Sequence, residues 1–210
     1  MKKLNTRIPN TRIQRQKRLT ILDAALEVFS KNGFRGSTID QIANQAGISK
    51  PNILYYYSSK QEIHKELIER LMEKWLTPLE ALSEGGDPIS EIRLYIKRKL
   101  EMARDFPRQS RLFNNEILQG APHIIDLLDG ELKNLVDKKA KIISKWMKEG
   151  RLAKVDPYHL IFSIWATTQH YADFDVQVCA VLGKEKAINK RFERAQKHLD
   201  LLFVRALRVK

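Results

Sequence analysis

The stretch STIDQIANQAGISKPNILYYYSSKQE, residues 37–62, decides the fold. Thr38-Ile-Asp-Gln41 is a capping box: a hydroxyl at the helix start bonds the amide three residues on, and the glutamine reaches back. Behind it Ile39, Ile42, Ala43 and Ala46 recur at helical spacing. Gly47 then supplies the left-handed residue with which a helix stops at low cost. Ser49 is placed to cap a further helix, with Pro51 in its first turn, where a missing N–H leaves no bond unmade. Ser59-Lys-Gln-Glu62 is a second capping box, opening a long helix with Ile63, Leu67, Leu71 and Trp75 along one side. A helix over 38–46, a tight turn and a helix over 49–57 form the outline of a helix-turn-helix.

Working outward, Leu22, Ala25, Leu26 and Phe29 mark one face of a preceding helix that ends at Asn32-Gly33. Residues 1–16 are polar and basic without periodicity and read as a flexible arm. Downstream, Pro78 predicts a kink or stop around Lys74 to Thr77. Glu84-Gly-Gly-Asp-Pro88 reads as a linker, followed by amphipathic segments near 89–105, 108–119, 123–149, 157–182 and 185–208. No strand pattern, internal repeat or low-complexity tract is visible. The expected fold is all-α, with about nine helices. It divides into an arm (1–16), a three-helix DNA-binding domain (17–62) and a C-terminal helical bundle (63–210).

Charge identifies the class of partner. The chain of 210 residues carries 38 Lys and Arg against 25 Asp and Glu, a net +13. Residues 1–60 hold 11 basic and 3 acidic side chains (+8), and the rest hold 27 and 22 (+5), so most of the excess lies where the helix-turn-helix is. A concentrated positive charge points to nucleic acid first and an anionic membrane surface second. The N-terminus has no apolar core of a secretory signal. The longest uncharged run, Pro157 to Ala172, is too short and polar to span a bilayer. Cys179 is the sole cysteine, so no internal disulfide forms. The expectation is a soluble cytoplasmic protein.

In a helix-turn-helix, the second helix enters the major groove with its N-terminal residues against the bases. Lys50 and Asn52 are then placed to read base edges, Lys toward guanine O6 and N7, Asn toward adenine. Tyr55, Tyr56 and Lys60 are placed for phosphate oxygens. Ser37 and Thr38 present a helix start to another phosphate, and Arg12, Arg15, Lys17 and Arg18 extend the basic surface. Tyr57 is assigned to the core.

With these residues in view, FSKNGFRGSTIDQIANQAGISKPNILYYYSSKQEI, residues 29–63, resembles the DNA-binding domain of the TetR family of bacterial repressors. The match runs from about Leu22 to Leu67. It implies DNA contacts at Thr38, Ser49, Lys50, Asn52, Tyr56 and Lys60. It also implies homodimers bound to double-stranded operator DNA with half-sites about 34 Å apart, hence an imperfect palindrome. Leu54 departs from the family pattern, where many members carry a tyrosine.

The family's C-terminal bundles dimerise and bind a small molecule. The last segment, with Ile188, Phe192, Ala195, Leu199, Leu202, Phe203 and Ala206, carries an apolar stripe for the core or a partner helix. In IFSIWATTQHYADFD (161–175), Trp165 and Gln169 share one helical face. A glutamine on an apolar face needs a partner for its amide. Within the protein that partner is another side chain or water. In a ligand site it is a flat lactam or imide edge, the complement of an amide's paired donor and acceptor.

The stretches WLTPL, SRLFNNEILQGAP and DPYHLIFSIWATTQHYADF resemble the pyrimidine-responsive repressors of this family. That likeness implies uracil or thymine as effector, read by Trp75, Trp165 and Gln169, with release from DNA on binding and no cofactor. Arg111, Asn115 and Glu116 receive no role. The alternatives are a family member sensing a different planar or apolar ligand, and a nonspecific basic nucleic-acid-binding or nucleoid protein. No spacing marks a catalytic residue or a metal site. His170 and Asp173, three apart, read as a helical salt bridge.

Overall fold

The computed structural model describes residues 11–183 and 190–209, and no strand occurs among them. The first ten residues of the expected arm, and Ile188, lie outside the described residues. The chain divides into two compact units, Met1–Ile68 and Glu69–Lys210.

In the first unit, α1 spans Arg12–Asn32, α2 Ile39–Ala46 and α3 Lys50–Tyr56, and α4 begins at Lys60. Helix α1 starts inside the span expected to be an arm, because Thr11 and Gln14 form a complete capping box. Thr38 and Gln41 do the same for α2, and Gly47 ends it in the left-handed conformation with φ 66°. The other two expected caps differ. Ser49 occupies the N-cap of α3 without a side-chain cap bond. Ser59 accepts from the Glu62 amide, but the Glu62 carboxylate goes to the amide and hydroxyl of Ser58, so that box is half formed. The core gathers Ile21, Ala25, Phe29, Ile42, Ile53, Tyr57 and Ile63, all almost wholly buried. The His64 ring meets Phe29 edge-on at 5.0 Å.

Helix α4 continues to Glu80 and passes through Pro78. The expected stop does not occur. Pro78 lies two residues before the last helical residue, so it removes a single backbone hydrogen bond close to the helix end. The terminus is held from outside: the Lys139 ammonium donates to the carbonyls of Glu80 and Leu82, both at 2.7 Å.

The second unit continues with α5 (Pro88–Asp105), α6 (Pro107–Leu118), a short α7 (Ile125–Leu127), a π-helical turn (Leu128–Leu132), α8 (Lys133–Lys148), α9 (Pro157–Asp173), α10 (Asp175–Leu182) and α11 (Arg191–Leu207). Two segments read as continuous, 123–149 and 157–182, are each subdivided, the second at Phe174. This adds helices to the nine expected. Helix α5 packs on both α9 and α11, and α6 packs on α9. Ile92, Ile96, Leu100, Ile143, Trp146, Ile161, Ile164, Leu199 and Phe203 form the core, each such side chain contributing roughly 1.5–3 kcal/mol. Ala195, Leu199 and Phe203 of the last stripe face this core, joined by Leu207, while Leu202 of the stripe and Leu201 stay about half exposed.

The Glu84–Pro88 segment is no free linker. Trp146, fully buried, donates its indole N–H to the Glu84 carbonyl at 2.9 Å, Arg151 donates to the Gly86 carbonyl at 2.7 Å, and Asp87 caps α5 through the Ser90 amide.

Lys139→Met keeps the aliphatic stem and removes the ammonium, leaving the buried Leu82 carbonyl and the part-buried Glu80 carbonyl without that donor. Urea unfolding at neutral pH is expected to show a loss of about 2–4 kcal/mol. A loss below about 0.5 kcal/mol would mean that those carbonyls find other partners.

Candidate DNA-reading surface and effector cavity

The start of α3 lies in solvent. Ser49, Lys50 and Asn52 are all exposed, as is Thr38 at the start of α2. Lys50 forms an ion pair with Asp40 at 2.8 Å, with both side chains about half in solvent. Such a pair contributes little and exchanges readily for another anion. Tyr55 is 69% exposed and packs its ring edge-on against Tyr56 at 5.0 Å. Tyr56 is half-buried, and Tyr57 is buried as expected.

Three basic or polar positions have other duties. The Lys60 ammonium donates to the carbonyls of Phe34 and Ser37, both at 2.7 Å, and lies 4.5 Å above the Phe34 ring. Arg18 is not on a free arm: it donates to the Tyr56 carbonyl at 3.0 Å, pairs with Glu66 and covers the Tyr57 ring at 4.3 Å. Ser37 is buried, with its hydroxyl donating to the Gly33 carbonyl at 2.6 Å. Arg12, Arg15 and Lys17 remain exposed along α1.

In the second unit a cavity of about 260 Å³ opens among α4, α5, α6, α9 and the π-helical turn. Trp75 and Leu79 of α4 form one wall and Trp165 of α9 another, with Gln169 one helical turn beyond Trp165. Phe113, Asn114 and Ile117 of α6 line a third side, and Leu128 and Leu132 close it. The three effector residues expected from the sequence, Trp75, Trp165 and Gln169, therefore converge on one space. The third tryptophan, Trp146, stands apart in the core.

Trp165 donates its indole N–H to the Tyr95 hydroxyl at 2.6 Å. Burial pushes the Tyr95 phenol well above its ordinary pKa, against a smaller lowering by that bond, so it stays protonated. The Gln169 amide has no hydrogen-bond partner among the described residues, and neither has Asn114.

The sequence reading missed Lys99. This residue of α5 is 4% exposed and lines the cavity, its ammonium 5.9 Å from the centre of the Trp75 ring. Burial lowers its pKa to about 8, despite the opposing pull of Asp173. A signal was available: Ile92, Tyr95, Ile96, Lys99 and Ala103 fall at i, i+3, i+4, i+7, i+11, so the periodicity places Lys99 on the buried stripe.

The expected His170–Asp173 salt bridge is not formed. His170 stacks on Phe174 at 5.0 Å, while Asp173 accepts from the Ser110 hydroxyl at 2.6 Å. Burial raises the Asp173 pKa, only partly offset by Ser110, Lys99 and Arg111. Arg111 and Glu116 hold the scaffold: Arg111 donates to the Ala172 carbonyl at 3.1 Å, and buried Glu116 accepts from the His123 amide at 2.8 Å. Asn115 is exposed.

Comparison with known proteins covers both units. Residues 21–67 match the model of bacterial regulatory proteins of the tetR family, and residues 68–210 match that of the YcdC-like protein C-terminal region. The chain is 45% identical over 192 residues to the HTH-type transcriptional regulator RutR of Escherichia coli K12, covering 91% of each. It is 30% identical over 145 residues to the fatty acid metabolism regulator protein of Bacillus subtilis, covering 59% of this chain and 75% of that one. Among solved structures, a TetR-like transcriptional regulator from Rhodococcus sp. RHA1 superposes with a TM-score of 0.66 at 23% identity, covering 90% and 94% of the two chains. AibR, solved with isovaleryl coenzyme A and operator DNA, gives 0.68 at 14% identity, covering 89% and 97%. With both halves matched in order and nine-tenths of the chain aligned to a regulator at 45% identity, this protein belongs to the TetR family of helix-turn-helix transcriptional regulators.

Proposed function

We propose that this regulator is a homodimeric repressor of pyrimidine metabolism, released from a palindromic operator when uracil or thymine occupies the cavity of the second unit. The observation that carries the reading is the convergence of Trp75, Trp165 and the partnerless Gln169 amide on one small space. At about 260 Å³ the cavity lies just under the usual ~300–1,000 Å³ range of ligand clefts, a fit for a single ring in preference to a nucleoside. Trp165 has its N–H engaged by Tyr95, so its ring face is what it offers, and a planar ring stacks on such a face. The Gln169 amide then matches the adjacent N–H and C=O of an imide edge.

On the DNA side, Lys50 and Asn52 at the exposed start of α3 are the base readers of this proposal. Ser49, Thr38, Tyr55 and Tyr56 are its phosphate and sugar contacts. Lys60 acts mainly by bracing the carbonyls of Phe34 and Ser37. Exposed apolar side chains on α9 and α11, among them Phe162, Leu201 and Leu202, support the homodimer. Release is a population shift: the effector favours one arrangement of α4, which carries Trp75 and Leu79 and begins at Lys60. A differential affinity of about 1–3 kcal/mol between the two arrangements is enough to change operator occupancy.

Two experiments test this. In a tryptophan-fluorescence titration, uracil and thymine are expected to quench the wild type saturably, with affinity falling at least about tenfold in Gln169→Ala, the cost of one lost amide contact. Absence of saturable quenching, together with an unchanged melting temperature at high ligand, would remove pyrimidines as effectors. For DNA, a duplex selected from a random pool by the wild type is the probe. Asn52→Ala is expected to weaken binding by about 1–3 kcal/mol and relax preference at one position. Tyr55→Phe is expected to weaken it slightly on all sequences. If Asn52→Ala kept both the wild-type affinity and the wild-type preference for the selected over a scrambled duplex, base reading would move away from Asn52.

A further inference from the structure

Resting on the pyrimidine reading, we infer that Lys99 is the residue that selects an oxo-substituted ring edge over an amino-substituted one, so that the cavity takes uracil and thymine and refuses cytosine. The inference begins with what the other polar groups are unable to do. Gln169 and Asn114 both line the cavity, and a side-chain amide turned over about its last bond exchanges donor for acceptor. An imide edge and its amino-imine counterpart in cytosine are mirror patterns of donor and acceptor, so a free amide satisfies either one. Neither Gln169 nor Asn114 is held in one orientation by a partner among the described residues.

An ammonium is different. It carries three donors and no acceptor and has no second orientation to offer. Lys99 is 4% exposed and set on the cavity wall beside Trp75. It makes no hydrogen bond or ion pair within the described protein. Asp173, the carboxylate whose charge reaches Lys99, makes no ion pair with it and accepts at Oδ1 from the Ser110 hydroxyl at 2.6 Å. A buried charge with no contact partner is costly, and a ring oxygen arriving in the cavity offsets that cost. A ring amino group in the same place sets donor against donor. Tyr95 adds to the asymmetry: its oxygen already accepts from Trp165 at 2.6 Å, so its own O–H is left to donate. The two groups that have a fixed sense are both donors.

Uracil and cytosine differ at this edge and are alike in size, which makes them the probes. Calorimetric titration of the full-length wild type is expected to give uracil an affinity at least about 100-fold above cytosine, in line with sites built to read one polar group. Lys99→Gln replaces a permanent donor with a reversible amide. It is expected to keep uracil within about tenfold and to raise cytosine, so the ratio falls below about ten. Lys99→Met is expected to lose uracil affinity with little change for cytosine and to melt at or above the wild-type temperature, since it removes an uncompensated buried charge. A uracil-to-cytosine ratio that stays within threefold of wild type in both variants overturns the role of Lys99 while the pyrimidine reading stands. If the wild type binds neither base, both fall together.

Discussion

A half-buried indole set against an apolar core needs an acceptor for its N–H, and in the second unit Tyr95 gives one to Trp165 at 2.6 Å. Much of the cavity's character depends on that bond. It fixes the indole ring, spanning α5 and α9, so that the ring presents a face and leaves the polar reading of a ligand to others. It consumes the acceptor side of the phenol. It also stiffens one wall of a space whose remaining lining is largely apolar and would otherwise gain by closing. On the proposed reading, Gln169, Asn114 and Lys99 would recognise a ligand inside a frame they do not themselves have to build.

The first unit uses its polar groups differently. Part of what a charge count assigns to nucleic acid serves the backbone of the domain itself. Lys60 and Arg18 donate to the carbonyls of Phe34, Ser37 and Tyr56. These bonds tie α3 and the turn before α2 to α1 and the start of α4, and so hold the exposed residues of α3 in one geometry. Positive charge here builds the platform as well as facing the DNA.

The helix-turn-helix was legible because its signals are local: Thr38 with Gln41, Gly47 and Pro51 each act within four residues of themselves. The cavity was legible in part, since Trp165 and Gln169 share a face by spacing alone, whereas Trp75 sits on a different helix, and family likeness was needed to give it a ligand contact. Lys99 stood unread in a run of basic residues that looks like a solvated face, although the phase of Ile92, Tyr95 and Ile96 pointed inward. The roles of Arg18, Lys60 and Lys139 were out of reach, because each depends on a carbonyl more than 20 residues away. The stop expected around Lys74 to Thr77 does not occur for the same kind of reason: a lysine from another helix holds the terminus, and no local rule at Pro78 registers it.

That anchoring has a mechanical consequence. With the Glu80 carbonyl at its end and the Leu82 carbonyl just beyond it held by Lys139, α4 is anchored to α8 at its C-terminal end. Trp75 and Leu79, which line the cavity, sit close to that anchor, and Lys60 begins the helix about 30 Å away. On the proposed mechanism, a tilt of about 5° about the anchored end would carry the start of the helix through about 2.6 Å, most of a ~3.4 Å base-pair step.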